Sequence, residues 1–362
     1  MRSIVRLVAA AGIALAATSL AQAQTESKFP HKEGDYVVKN FKFDDGETLE
    51  TLRLHYTTLG TPVRDKSGRV TNAVLIMHGT GGSGHQFFRP QFADVLFSPG
   101  GLLDIKKYYI ILPDDIGHGK SSKPSDGMKT AFPNYDYTDM VRAEHELVTK
   151  GLNVNHLRLV MGTSMGCMHS FMWGEAWPDF MDALMPLACE PTQIAGRNRI
   201  WRKMVIDGIR SDPAWDGGEY KTQPQQGLRI AADMLIIAGS AAHQMQKAYP
   251  SRDEADKALS DLSSKYMSEL DANDILYQVG SSRDYDPSAK IETIKAPTMW
   301  VNSADDFINP PDLGIAEGLA ARNPKIKYVV IPTSDQTHGH GTHTWAAVWH
   351  DQMAELLKET EK

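Results

Sequence analysis

The stretch LVMGTSMGCMHS, residues 159–170, places one serine between two glycines directly behind an apolar run. Leu157 to Met161 alternates and clusters apolar residues as a buried strand does, and beyond Gly166 the chain runs to Trp173 without glycine or proline, so a helix can start there. Gly162-Thr163-Ser164-Met165-Gly166 then fits the G-x-S-x-G pattern. Ser164 would sit on a sharp strand-to-helix turn with its hydroxyl exposed, and the glycines would spare the neighbouring backbone a collision. The helix that follows points its free N–H groups and positive dipole end at the reacting oxygen. Ser164 is therefore the predicted nucleophile.

A serine hydroxyl is a weak nucleophile at neutral pH. It needs a base, and the base needs an acid to fix its tautomer and stabilise the imidazolium. On a strand-turn-helix nucleophile the partners follow in the order serine, acid, histidine. The chain has that order: Asp305-Asp306 behind the strand-like TMWVNSA, then His338, His340 and His343 behind YVVIP. Asp306, four residues before Pro310, is the expected acid, with Asp305 a solvated or capping neighbour. His340 is the expected base, because Gly339 and Gly341 let the backbone turn toward the serine. A metal site in this block is disfavoured, since no cysteine or carboxylate stands at ligand spacing within it.

The remaining need is a pair of donors for an oxyanion. LIMHGTGGSGHQF, residues 75–87, again runs from an apolar strand into a glycine-rich loop. The backbone N–H groups of Thr80 and Met165 are the candidates. The loop lacks the phosphate-binding pattern G-x-x-x-x-G-K-[ST], so nucleotide binding is not expected. His78 reads as a brace for the loop, and His85 as exposed at its tip.

Outward from these motifs, short apolar runs alternate with helical segments, the mark of a mostly parallel sheet covered by helices on both faces, an α/β fold. The predicted strands are 74–77, 108–112, 157–161, 183–187, 298–301 and 328–331. The predicted helices are 140–150, 165–177, 312–321 and 345–357. Residues 36–61 read as antiparallel strands leading in. Between about 191 and 290 the strand rhythm stops and helix-like pieces take over (200–210, 226–238, 253–270). A hundred residues between two core strands exceed any ordinary connection, so a helical cap inserted before the acid strand is expected. Its Trp201, Met204, Met234 and Met245 suit either packing or an apolar substrate. The domain reading is residues 24–190 and 291–362 for the core and 191–290 for the cap.

Residues 1–23 read differently. MRSIVRLVAAAGIALAATSLAQAQ carries two arginines, an uncharged run from Leu7 and the small-x-small Ala21-Gln22-Ala23. The run is shorter than the roughly 18 apolar residues that cross a bilayer. A cleavable signal peptide, cut near Ala23, is expected, and with it a periplasmic or secreted protein without stable membrane association. With 38 basic against 45 acidic residues and a formal charge of −7, nucleic acid and anionic membranes are poor partners. Oligomeric state is not fixed by the sequence, a homodimer being one candidate. Cys167 and Cys189 lie in apolar surroundings and are expected as buried small hydrophobes, although export permits a bridge. No organic cofactor and no metal is implied.

On these motifs the chain resembles the α/β-hydrolase superfamily and, within it, the homoserine O-acetyltransferase group, over roughly residues 41–357. HGTGGSGH is similar to that group's oxyanion loop, GTSMGCMHSFMWGEAWPDFMDALMPLA to its nucleophile segment, and SDPAWDGGEY, GLRIAADM and ELDANDILYQ to its cap helices. SADDFINPP and THGHGTHT correspond to its acid and histidine turns. The resemblance implies the α/β-hydrolase fold, the residues Ser164, Asp306 and His340, and an acyl-serine handed to an alcohol or to water. DDIGHGKSSKPSDG departs from the group's GPSS-like segment, and Arg197, Arg199 and Arg202 are the cap arginines from which a carboxylate-pinning residue would have to come. Because the leader takes the chain away from cytoplasmic acyl donors, hydrolysis of a small carboxylic ester is the first expectation and O-acyl transfer the alternative. A non-catalytic binding protein on the same scaffold is the third, disfavoured by the complete set of reactive groups.

Overall fold

The computed structural model describes residues 28–361, so the expected signal peptide lies outside the described residues. Eight strands form one sheet in the order β1-β2-β4-β3-β5-β6-β7-β8. They are β1 His31–Lys42, β2 Thr48–Leu59, β3 Ala73–Met77, β4 Tyr109–Pro113, β5 Leu159–Thr163, β6 Leu184–Leu187, β7 Thr298–Ser303 and β8 Ile326–Ile331. The first two strands pair antiparallel and β2 runs antiparallel to β4, whereas every pairing from β4 to β8 is parallel.

The central strands are apolar throughout because both their faces are covered. In β3, Ala73, Leu75 and Met77 join one core, while Val74 and Ile76 join the other. On the first face pack α2 (Tyr137–Glu146), α3 (Met165–Ala176) and α9 (Ile315–Ala320). On the second pack α1 (Pro90–Leu96) and α10 (Ala346–Glu359).

Between β6 and β7 the chain builds α4 (Gly196–Ser211), α5 (Gln225–Gly239), α6 (Ala242–Ala248), α7 (Arg252–Glu269) and α8 (Ala272–Gly280). These helices have an apolar cluster of their own, from Trp201, Val205, Leu228, Ala231, Tyr266 and Ile275 among others. Buried polar bonds dock them on the sheet domain. Asp274 accepts from the backbone N–H and hydroxyl of Ser125 at 2.8 and 2.6 Å, and Gln278 donates to the Gly117 carbonyl at 2.7 Å.

Several expectations need correction. The helix predicted over 140–150 begins at Tyr137, because Asp136 and Asp139 form a capping box, and it ends at Glu146 in a wider turn. The helix predicted over 312–321 shrinks to α9, because Gly314 stands in front of it at φ 66°. Cys167 and Cys189 are not free thiols but a disulfide. Trp201 packs in the insertion's core and Met234 and Met245 lie against it, while Met204 turns to solvent.

Candidate active site

Strand β5 delivers Ser164 to the sheet's C-terminal edge and α3 begins with the next residue. Ser164 has φ 55° and ψ −108°, a conformation that the surroundings impose. Its N–H donates to the Leu187 carbonyl at 2.9 Å, and the Gly166 N–H donates to the His78 carbonyl at 2.9 Å, which fixes the turn on both sides. The flanking glycines are needed for space. A Cβ on Gly162 would stand 2.2 Å from the Gly166 carbonyl oxygen, and one on Gly166 would stand 2.1 Å from the Met77 oxygen.

His340 reaches the serine from the turn Gly339–Thr344 behind β8. Its Nε2 lies 2.8 Å from Ser164 Oγ and its Nδ1 2.8 Å from Asp306 Oδ2. The carboxylate can only accept, so Nδ1 carries the proton and Nε2 keeps a lone pair toward the hydroxyl. Asp306 is buried, and its other oxygen accepts from the N–H groups of Ile308 and Asn309 at 2.7 and 3.2 Å. The structure thus brings Ser164, His340 and Asp306, the three side chains chosen from the sequence, into one hydrogen-bonded series. Of the two glycines credited with the histidine turn, only Gly339 adopts a positive φ, 58°.

The neighbouring candidates have other places. Asp305 is not a solvated neighbour; it accepts from Ser303 Oγ, Thr337 Oγ1 and the Gly339 N–H at 2.5, 2.9 and 3.0 Å, and so ties the acid turn to the histidine turn. His343 is buried edge-on to His340, with ring centres 5.2 Å apart, and burial holds it well below the ordinary imidazole range, so it is neutral. His338 stacks on Trp345. His85 is not free at the loop tip but bonds Glu33 at 2.8 Å.

The oxyanion candidates flank the serine. Gly79 is pressed against Ser164, its would-be Cβ 3.3 Å from Ser164 Cβ. Among the described residues, neither the Thr80 nor the Met165 N–H donates to a protein acceptor. Beside Thr80 lies the buried Tyr137 hydroxyl, whose neighbours are the Thr80 and Ser282 hydroxyls and the Arg202 guanidinium. Arg202 is itself buried, and its side chain donates to Asn198 Oδ1 at 3.0 Å and to Ser282 Oγ at 3.3 Å, both neutral oxygens. Arg197 instead donates to the Phe307 carbonyl and covers that ring.

Below the oxyanion loop the structure gathers a polar group that the sequence reading missed. Asp115, Glu144 and His169 are buried with their ligating atoms within 4.8 Å of one another. Glu144 is bonded to His169 Nδ1 at 2.8 Å and to Trp173 Nε1 at 2.7 Å. Burial raises both acids, Glu144 to about 7 and Asp115 well above the usual carboxylate range, and the Glu144 charge raises Asp115 further. The same three donors would suit a cation. A second acidic trio, Asp44, Asp136 and Asp139, is occupied by the Arg142 guanidinium and by the α2 cap. The twin acids Asp114-Asp115 at the C-terminal end of β4 were the one local signal for the buried group.

Residues 72–336 match the family model of the alpha/beta hydrolase fold. A homoserine O-acetyltransferase of Pelobacter propionicus is 30% identical over 357 residues, covering 88% of this chain and 92% of its own. A probable acyltransferase of Methanothermobacter thermautotrophicus is 28% identical over 306 residues, 84% of this chain and 91% of its own. Among solved structures, an acetylester hydrolase from Corynebacterium glutamicum superposes with a TM-score of 0.77 at 25% identity, over 92% of this chain and 96% of its own. With an eight-stranded, mostly parallel sheet, a serine at the strand-to-helix turn and these matches, the chain belongs to the α/β-hydrolase superfamily and, within it, to the homoserine O-acetyltransferase-like group.

Proposed function

We propose that the protein is a serine-dependent acyl-transfer enzyme, in which Ser164 takes an acyl group from a small ester and passes it to the hydroxyl of a second substrate. The observation that carries this reading is the series Ser164 Oγ to His340 Nε2 and His340 Nδ1 to Asp306, both at 2.8 Å, beside two unengaged N–H groups. His340 takes the hydroxyl proton as Oγ adds to the acyl carbonyl. The oxyanion faces the N–H groups of Thr80 and Met165, and Asp306 stabilises the imidazolium. As the tetrahedral species collapses, His340 gives the proton to the leaving alcohol. An acceptor hydroxyl then loses its proton to His340 and attacks the acyl-serine, and the returning proton restores Ser164.

Transfer to an alcohol is favoured by the curated relatives, which are named as acyltransferases and are matched over nine-tenths of their length. It also fits Arg202, whose protein partners are neutral and whose charge would suit an acceptor bearing a carboxylate. Water as the acceptor is the second reading, supported by the likeness to an acetylester hydrolase. The leader and the Cys167–Cys189 disulfide suit a periplasmic or secreted site of action, which forms part of the proposal.

The test is turnover of p-nitrophenyl acetate and butyrate by the protein from Gln24 onward, with and without added alcohols, beside Ser164→Ala. A burst of one equivalent followed by slow turnover that alcohols accelerate, with ester product formed, is the expected result. Steady hydrolysis insensitive to alcohols gives the second reading. Acylation that persists in Ser164→Ala, or none in the parent, overturns both.

A further inference from the structure

His78 is fully buried, and it follows the C-terminal end of β3 just before the oxyanion loop. Two hydrogen bonds fix its ring. The Asp115 backbone N–H donates to Nε2 at 3.1 Å, so Nε2 must carry the lone pair. A neutral ring then has its proton on Nδ1, which stands 2.8 Å from the Gly79 carbonyl oxygen and donates to it. The same oxygen accepts from the Gly82 N–H at 2.9 Å.

That carbonyl belongs to the Gly79–Thr80 peptide. The unit is planar and trans, so its C=O and N–H point in opposite directions. Two donors on the oxygen therefore decide where the Thr80 N–H points. Gly79 itself lies against Ser164, its would-be Cβ 3.9 Å from Ser164 Oγ. The geometry points to His78 as a positioning residue that locks the Gly79–Thr80 peptide with the Thr80 N–H turned to the acyl oxygen on Ser164. The inference rests on the acyl-enzyme reading above. It takes His78 beyond a brace for the loop, because the ring acts on one peptide and on one step, the charging of the acyl oxygen.

The buried acids are part of the mounting. Asp115 supplies the N–H that fixes the ring, and its side chain stands beside Glu144, with His169 Nδ1 3.7 Å from its Oδ2. The support thus runs from α2 and α3 through Asp115 to His78 and the loop. It reaches the oxyanion without any residue of the Ser164, His340 and Asp306 series.

The test uses His78→Leu, which removes both ring nitrogens, and His78→Asn, whose amide can place a donor where Nδ1 stood. Each is assayed on a p-nitrophenyl ester and on the matching thionoester, whose sulfur draws much less from oxyanion donors. For His78→Leu we expect kcat on the ester to fall about 30-fold with KM changed less than about threefold, since a misaimed donor costs less than the 10²–10³ of a removed one. The thionoester rate should fall only a few-fold, and His78→Asn should recover most of the ester rate. A parallel fall on both substrates, or equal losses in the two variants, overturns the inference. Nitrogen NMR of histidine-labelled parent protein checks it without any variant or turnover: His78 must carry its proton on Nδ1 and the lone pair on Nε2. The other tautomer or an imidazolium overturns it even if Ser164 is acylated, whereas an inert Ser164 with the expected tautomer strikes the proposed function instead.

Discussion

Ser164 holds a positive φ that costs on the order of 1–3 kcal/mol for a side chain of its kind. The fold meets that cost with the bond to Leu187, the Gly166 bond to His78 and two glycines that leave no room for a Cβ. Such turns are local, which is why Ser164, Asp306 and His340 could be chosen from short stretches of sequence. Arg202 could be narrowed only to three cap arginines, and Tyr137 and the Asp115, Glu144 and His169 group could not be chosen, because they come together from separate segments and follow no spacing rule. Asp306 offers the sharpest check at this scale. In Asp306→Asn the two backbone donors keep the amide oxygen, so the NH₂ faces His340 Nδ1. The ring must then accept at Nδ1 and protonate Nε2, which leaves no base for the serine. A loss of kcat on the order of 10³–10⁴ with unchanged thermal melting is expected. Retention of a tenth of the parent rate would contradict the assigned role.

The six strands from β3 to β8 were legible as apolar runs, and their observed edges lie within about two residues of the expected ones, whereas the half-exposed β1 starts at His31, five residues before the expected 36. Helices were less so: capping by Asp136 and the left-handed Gly314 decide their ends, and neither is visible in apolar periodicity. The disulfide was legible only as a bridge that export permits, since a separation of 22 residues says nothing of the Cα distance, which the fold sets at 5.8 Å. It ties α3, one turn behind the nucleophile, to the loop after β6. That loop is bound in turn to the acid side of the site, through Cys189 N–H to Asn302 and Asn309 to the Ala188 carbonyl. Closing a loop of that length restricts the unfolded chain by about 3 kcal/mol. Cys167→Ala with Cys189→Ala should lose about that much in urea unfolding, and reduction of the parent should move its midpoint the same way. An unchanged midpoint in both would show that the bridge contributes nothing to stability.

At the scale of the whole molecule, a sheet domain supplies the reacting groups and a helical insertion with its own core is laid across it. The hundred-residue gap in strand rhythm announced the insertion, but which of its faces meets the sheet domain depended on contacts between distant segments. Those contacts bring insertion side chains, Arg202 of α4 and Ser282 among them, beside Tyr137 of α2 and thereby next to the loop that carries Thr80. Among the described residues the buried Arg202 guanidinium has neutral oxygens and the Trp201 ring as partners and no counter-charge, which is unfavourable unless a ligand provides one. Replacing it by methionine, similar in length and apolar, should therefore leave the fold intact and spare acylation of Ser164 by a neutral p-nitrophenyl ester. Acceptors are the place where the change should register. A charge-assisted hydrogen bond contributes about 1.5–3 kcal/mol, so Arg202→Met should raise KM for a hydroxy acid about 10- to 100-fold while the uncharged alcohol of the same size shifts little. Competition between the two acceptors for one acyl-enzyme measures that ratio directly. If the ratio is the same in parent and variant, Arg202 does not read the substrate's charge, and its burial serves only to join the insertion to the sheet domain.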